Sequence, residues 1–151
     1  MVTFLGVFRH GVDEKLRIAI PARFRDQLAK WGQSILYTVA RKDHIVLFPE
    51  EAWERFVNRL VREDVPADRA LDHDYLRRQV ALNGEICRLD AQGRISLRAD
   101  QLEAAGIKKD ATIFGNVRVL ELWSGEAFER MASDTRAQNK EDMFMQIMQT
   151  L

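Results

Sequence analysis

The chain has 151 residues, with 23 Lys/Arg against 23 Asp/Glu, and 46% of its residues are hydrophobic. That length can bury one core or two small ones, and the ordinary composition excludes a disordered or collagen-like chain. One cysteine excludes an internal disulfide and suits a reducing compartment. With no export-signal pattern at the start and no apolar run of membrane-spanning length, a soluble cytoplasmic protein is expected.

Zero net charge argues at first against nucleic acid, but the charges are segregated. Residues 1–48 carry eight Lys/Arg against four Asp/Glu, and residues 88–120 carry six against four. Residues 49–87 (six against nine) and 121–151 (three against six) are acidic. A neutral chain with such a distribution can still present a basic face to phosphates.

Residues 6–12 read as a strand loosened at its end by Gly11. Asp13-Glu14-Lys15-Leu16-Arg17 turns the chain into a second strand, 16–20, where apolar residues alternate with Arg17 and Ala19. Asp favours such a turn because its carboxylate accepts bonds from backbone N–H groups just ahead. Pro21 suits a first helical position, Phe24, Leu28 and Trp31 form one stripe, and Gly32 stops the helix. Residues 34–40 and 44–48 make a hairpin around Arg41-Lys42-Asp43. Pro49-Glu50-Glu51 opens a helix with Ala52, Trp53, Phe56, Val57, Leu60 and Val61 on a face wide enough for core packing. A linker is expected at residues 64–68, where Pro66 breaks the helix, and a second helix at 67–82, ended by Asn83-Gly84.

The scheme then starts again. A strand is expected at 85–89, a turn at 90–93, a strand at 94–97, and a helix at 99–105 stopped by Gly106. Strands 111–115 and 117–123 follow, across a tight Gly115-Asn116 turn. Asp90-Ala91-Gln92-Gly93-Arg94 repeats Asp13–Arg17 at an offset of 77 residues, and Ile95-Ser96-Leu97 repeats Ile18-Ala19-Ile20. Ala127-Phe128-Glu129-Arg130 repeats Ala52-Trp53-Glu54-Arg55 at an offset of 75. One unit is used twice. The tail from 124 is helical and acidic, and Met143, Phe144, Ile147, Met148 and Leu151 form a stripe that is either core cover, the preferred reading, or a surface for a partner.

Phe4-Leu5-Gly6, the Asp13-x-Lys15-x-Arg17 turn followed by Ile-x-Ile-Pro-Ala-x-Phe-Arg, and the second Asp-x-x-Gly-Arg resemble the MraZ family, over about residues 4–130. These are bacterial transcription regulators built from two tandem AbrB-like modules. The resemblance implies an α+β, mostly β fold: two swapped-hairpin modules (double-split β-barrels) with connecting and C-terminal helices. The modules are expected at 4–56 and 84–130, with a helical connector at 57–83 and a helical tail at 131–151. It further implies sequence-specific binding to double-stranded DNA at short direct repeats, in the promoter of its own division and cell-wall gene cluster. A ring-like homo-oligomer, associated with the nucleoid, goes with that function. An antitoxin-like or adaptor protein using the fold for protein binding is the alternative.

Arg17 and Arg94 are the leading site candidates, because Arg presents a rigid fork of donors suited to phosphate or to the O6/N7 edge of guanine. Spacing alone slightly favours the other reading, bridges from Asp13 to Arg17 and from Asp90 to Arg94 that merely pin the turns. The resemblance favours DNA contact for the arginines and a turn-shaping role for Asp13, Asp90 and Gly93. Lys15 and Gln92, at matching turn positions, come next, then Arg9 and Arg88. Two departures from the family pattern stand out. Leu16 occupies the place of Gly93, so the first turn is expected to differ in shape, and Arg98 replaces Pro21, which leaves its helix start less defined.

No catalytic site, cofactor or metal is expected. Asp72-His73-Asp74 cannot share one helical face. His10 near Asp13 has no nucleophile to serve, and Cys87 reads as a buried thiol.

Overall fold

A computed structural model describes residues 1–62 and 66–151; the expected linker at 64–68 lies partly outside them. The first half runs β1 (Phe4–Gly11), β2 (Arg17–Ala19), α1 (Ala22–Lys30), β3 (Ile35–Ala40), β4 (His44–Pro49) and α2 (Glu50–Leu60). A 3₁₀ turn at Ala67–Arg69 leads into α3 (Ala70–Asn83). The second half repeats the order as β5 (Gly84–Arg88), β6 (Arg94–Ser96), α4 (Ala99–Ala105), β7 (Asp110–Val117), β8 (Val119–Trp123) and α5 (Gly125–Ala137), and α6 (Glu141–Met148) follows. The α+β class is the one expected.

The halves are joined by exchange. Hairpins β3–β4 and β7–β8 meet through β4 and β8, and each receives its outer strand from the other half. Thus β1 pairs antiparallel with β7 and β5 with β3, giving the sheet order β1-β7-β8-β4-β3-β5. That order reads the same from either end when the halves are interchanged, so the tandem copies form an internal pseudo-dimer. The short strands β2 and β6 form a separate two-stranded ribbon, with Ile18 opposite Ile95 and also bridged to Val12.

Strand alternation divides the sheet into two faces. Phe4, Leu36, Ile45, Leu47, Ile113, Leu120 and Leu122 point to the inner face, where Ile18 and Ile95 of the ribbon, Phe24 and Leu28 of α1, and Leu102 and Ala105 of α4 complete one core. Phe24 meets Phe4 and Phe8 edge-on at 5.3 and 5.2 Å. The outer face is covered by α2, through Trp53 on Tyr37 and Phe56 on Phe48, and by α5, through Phe128 on Phe114.

Four local expectations are corrected. The hairpin turn falls at Val117–Arg118 rather than Gly115-Asn116: Val117 has φ 61° and the Arg118 N–H reaches Asn116 O at 2.7 Å. Gly115 is a strand residue needed for close approach, since a Cβ there would stand 2.7 Å from the Phe4 carbonyl carbon. Trp31 lies just past the end of α1 and is exposed, so the α1 stripe in the core is Phe24 and Leu28. The α2 face is only half-buried, because α2 and α3 leave open clefts between themselves and the sheet, lined by Trp53, Val57 and Leu60 with Val80. The apolar stripe of α6 covers no core: every residue of that helix is exposed.

Strand exchange makes each half incomplete. Fragments 1–83 and 84–151, produced separately, should each be unfolded or self-associated, and mixing them should restore a 1:1 complex with the β signal of the intact chain. Circular dichroism with size-exclusion chromatography reads this; a monomeric, cooperatively melting 84–151 fragment would contradict the exchanged topology.

Candidate nucleic-acid interface

Both Asp-x-x-x-Arg turns are held by the same set of bonds. In the first, Asp13 Oδ1 accepts the N–H groups of Lys15 and Arg17 at 3.0 and 2.8 Å, while Oδ2 accepts Arg17 Nε at 2.8 Å. In the second, Asp90 Oδ1 accepts from Gln92 and Arg94, both at 2.9 Å, and Oδ2 accepts Arg94 Nε at 2.9 Å. The backbone matches too: Leu16 N–H to Asp13 O and Gly93 N–H to Asp90 O are both 3.0 Å. The bond from the Arg17 N–H, then the Arg17 guanidinium, hold the Asp13 carboxyl below the usual carboxylate range, and Arg94 does the same for Asp90. The aspartates therefore shape the turns and are spent in doing so.

The clamp uses one edge of each arginine. Only Nε meets the aspartate, and the terminal amino groups of Arg17 and Arg94 make no hydrogen bond to any described residue. The bridging and contacting alternatives are therefore compatible: a pinned guanidinium still offers its two Nη atoms as a preoriented pair of donors. Exposed tethers contribute little to stability by themselves, but they cut the side-chain entropy lost when a partner binds.

The β2–β6 pairing brings the two arginines together. Arg17 lies opposite Ser96 and Arg94 opposite Ala19, so both arginines stand diagonally on the ribbon face that alternates with buried Ile18 and Ile95. Lys15 and Gln92 sit at the exposed turn tips beside them. Arg9 and Arg88 are not brought to this face. They alternate with Phe8 and Cys87, which places them on the outer face of the sheet; Arg9 Nη2 approaches Gly125 at the start of α5.

The turns coincide in shape, contrary to the expectation from Leu16. Leu16 adopts φ 59° where Gly93 has φ 75°. The strain is tolerated because Leu16 packs beside Leu102 of α4 and its carbonyl accepts the Leu97 N–H at 2.9 Å; Gly93 O likewise accepts the Ile20 N–H at 2.9 Å. The start of α4 is also better defined than expected. The buried Gln101 side chain accepts the Arg98 N–H at 3.3 Å and donates to Thr38 Oγ1 at 3.0 Å. The Arg98 charge is consumed internally by Asp100, Glu85 and the carbonyls of Leu82 and Gly84.

His10 does not pair with Asp13. Its Nδ1 lies 2.6 Å from the Ala19 carbonyl, which can only accept, so Nδ1 carries the proton. Cys87 occupies the matching position, its Sγ 3.3 Å from Ser96 O, and burial pushes its thiol up. In Asp72-His73-Asp74, Asp74 bridges to Arg77. Arg25, the last residue of the Ile-x-Ile-Pro-Ala-x-Phe-Arg run, lies across Gly93; the sequence displays the residue but not this contact between the halves.

Comparison with known proteins agrees with this duplicated architecture. A family model described as "MraZ protein, putative antitoxin-like" matches residues 3–74 and 81–147. The chain is 31% identical to a "Transcriptional regulator MraZ" of Lachnoclostridium phytofermentans, covering 87% of this chain and 88% of that protein. Its namesake in Mycolicibacterium smegmatis is 33% identical, covering 83% and 84%. The Bacteroides fragilis protein of that name is 33% identical, covering 91% and 87%.

Two outcomes test the turn geometry. Asp13→Asn keeps an acceptor for the two N–H groups, whereas Asp13→Ala loses all three bonds, so the melting temperature should fall further for Ala; equal melting temperatures would remove the clamp. Because the folded carboxyls are held low, their contribution is present above the ordinary carboxylate range and lost as pH falls below it through the lowered folded values. At position 16 both small replacements lose the Leu102 contact, so comparing them isolates the backbone: Leu16→Gly should be more stable than Leu16→Ala by about 1 kcal/mol in denaturant titration. An Ala variant at least as stable would show that the left-handed conformation at 16 carries no strain.

Proposed function

This chain belongs to the MraZ family, and from that premise we propose that it is a sequence-specific, double-stranded-DNA-binding transcriptional regulator rather than an enzyme. The observation that carries the reading is the ribbon face: two arginines from symmetric turns, side by side, each clamped through Nε with both Nη atoms unengaged among the described residues. A two-stranded ribbon is of a size to enter the major groove, where a bidentate Arg pairs with guanine O6 and N7. In this reading Arg17 and Arg94 read base edges, while Lys15 and Gln92 at the turn tips position the sugar–phosphate backbone. Arg9 and Arg88, on the other side of the sheet, take no part.

The finer parts of the proposal rest on the family resemblance, with support from the symmetry and the charge. The AbrB-like units are residues 4–56 and 84–130, joined by the connector 57–83 and followed by the tail 131–151. A chain of zero net charge with four principal contacts holds DNA feebly by itself. A ring-like homo-oligomer would engage several short direct repeats at once, each bound unit raising the effective concentration of the next. The proposed target is the promoter of the protein's own division and cell-wall gene cluster, with the protein cytoplasmic and nucleoid-associated. The exposed apolar stripe of α6, including Met143, Phe144 and Ile147, favours a second reading, an antitoxin-like or adaptor role through protein contacts.

The test is a titration, at fixed salt, of that promoter bearing one repeat, several repeats in helical phase, and several offset by about half a turn, roughly 5 bp. In-phase repeats should bind far more tightly than either other probe. Folded Arg17→Ala should lose about 5- to 150-fold in affinity, from the roughly 1–3 kcal/mol of a bidentate base contact. Wild-type affinity in folded Arg17→Ala would remove the ribbon from the reading; equal binding to all three probes would remove the assembly.

A further inference from the structure

The two turns share their bonds but not their charges. Lys15 and Arg17 give the first turn two cations, whereas Gln92 stands in the lysine position of the second and leaves Arg94 alone within it. The fold brings another cation to that turn from outside. Arg25 of α1, in the first half of the chain, lies across the second turn so closely that a Cβ on Gly93 would stand 2.1 Å from its Cδ and 2.6 Å from its Nη1. The missing side chain of Gly93 is the slot that admits Arg25.

The other turn supplies the internal comparison. At the same offset of 77 residues, Leu16 stands for Gly93 and Leu102 for Arg25, and these two leucines line a common cleft. Leu16 packs against the shared core and leaves that cleft open, so the first turn sits beside its helix with no charge between them. Arg25 is a poor choice for packing alone, because its Nε is buried without a hydrogen-bond partner among the described residues, which costs free energy. Nor does the turn offer a counterion. Ala91 replaces Glu14, and both oxygens of Asp90 are taken up by Gln92, Arg94 and its guanidinium. Arg25 as a whole keeps partial exposure.

We propose that Arg25 is a phosphate-anchoring residue that supplies the second turn with the cation Lys15 gives the first, so that each turn pairs a base-reading arginine (Arg17, Arg94) with a second positive group (Lys15, Arg25). This rests on the DNA-binding reading above and deepens it: each half of the chain contributes to the other's contact surface. A phosphate contact carries no sequence information, so the effect of Arg25 falls on all DNA alike and on the salt dependence.

The experiment measures binding of the full-length chain to the in-phase promoter probe and to a scrambled duplex across a salt series. The variants are Arg25→Leu, Arg25→Gln, Arg25→Leu with Gln92→Lys, and Arg17→Ala as the base-reading control. Folding of each is checked by its melting curve, and Arg25→Gln serves if leucine disturbs α1. Removing the Arg25 charge should weaken both probes by the same factor and reduce the slope of log affinity against log salt by about one per engaged copy. A merely structural role for Arg25 would leave the slope of the folded variants unchanged, and adding Gln92→Lys should restore the slope without restoring any packing made by Arg25. Arg17→Ala should instead lose discrimination between the probes. An unchanged salt slope in folded Arg25→Leu or Arg25→Gln, with Arg17→Ala still defective, overturns this proposal alone; a wild-type chain that binds neither duplex overturns the DNA-binding reading and this proposal with it.

Discussion

Strands β2 and β6 are three residues each, and among the described residues neither pairs with a strand other than its partner. An isolated pair of that length is not stable in water. It persists here because Ile18 and Ile95, opposite one another, are buried in a core built by both halves at once. The rest of the structure depends on that arrangement. β1 pairs with β7 and β5 with β3, and these exchanged pairings place the two short strands side by side. The ribbon that carries Arg17 and Arg94 is therefore a product of exchange, and its exposed face belongs to neither half alone.

Within that frame a single carboxylate organises each turn. Asp13 and Asp90 each tie down two backbone N–H groups and one guanidinium edge, which fixes where the following arginine stands. The negative charge beside a proposed phosphate contact is not a contradiction, because its acceptor capacity is directed inward to the turn. What faces outward is the pair of Nη groups on each arginine. The geometry is rigid at Nε and open at Nη, an arrangement suited to reading a fixed pattern of acceptors with little entropy left to lose.

The departures from symmetry show how one sequence maintains two similar turns by different means. Where the second turn has Gly93, the first forces Leu16 into a left-handed conformation and holds it by packing against α4. Where the first helix begins after Pro21, the second begins at Arg98 and is fixed by Gln101, a side chain with three partners across the halves: Arg98, Thr38 and Asn83. His10 and Cys87, unlike in chemistry, hold matching carbonyls of the ribbon strands. Backbone geometry is preserved while side-chain identity drifts, which is the behaviour expected where the hydrogen-bonded frame is the constraint.

The amino-acid sequence by itself determined the local units: the duplicated Asp-x-x-x-Arg turns, the alternation of each strand, the amphipathic faces of α1, α2 and α5, and hence the α+β class. These depend on periods of a few residues and on turn chemistry, both visible in a linear string. Tertiary structure decided which strand pairs with which, because a strand with period-two burial looks the same whichever neighbour it has. It therefore also decided that Arg17 and Arg94 share a face, that Arg9 and Arg88 lie across the sheet from them, and that Arg25 reaches the opposite half's turn. The α6 stripe belongs to this second group as well. Its helical spacing was legible in the sequence, but whether an apolar stripe is covered depends on the shape of what is already packed, and in this fold the core is complete without it.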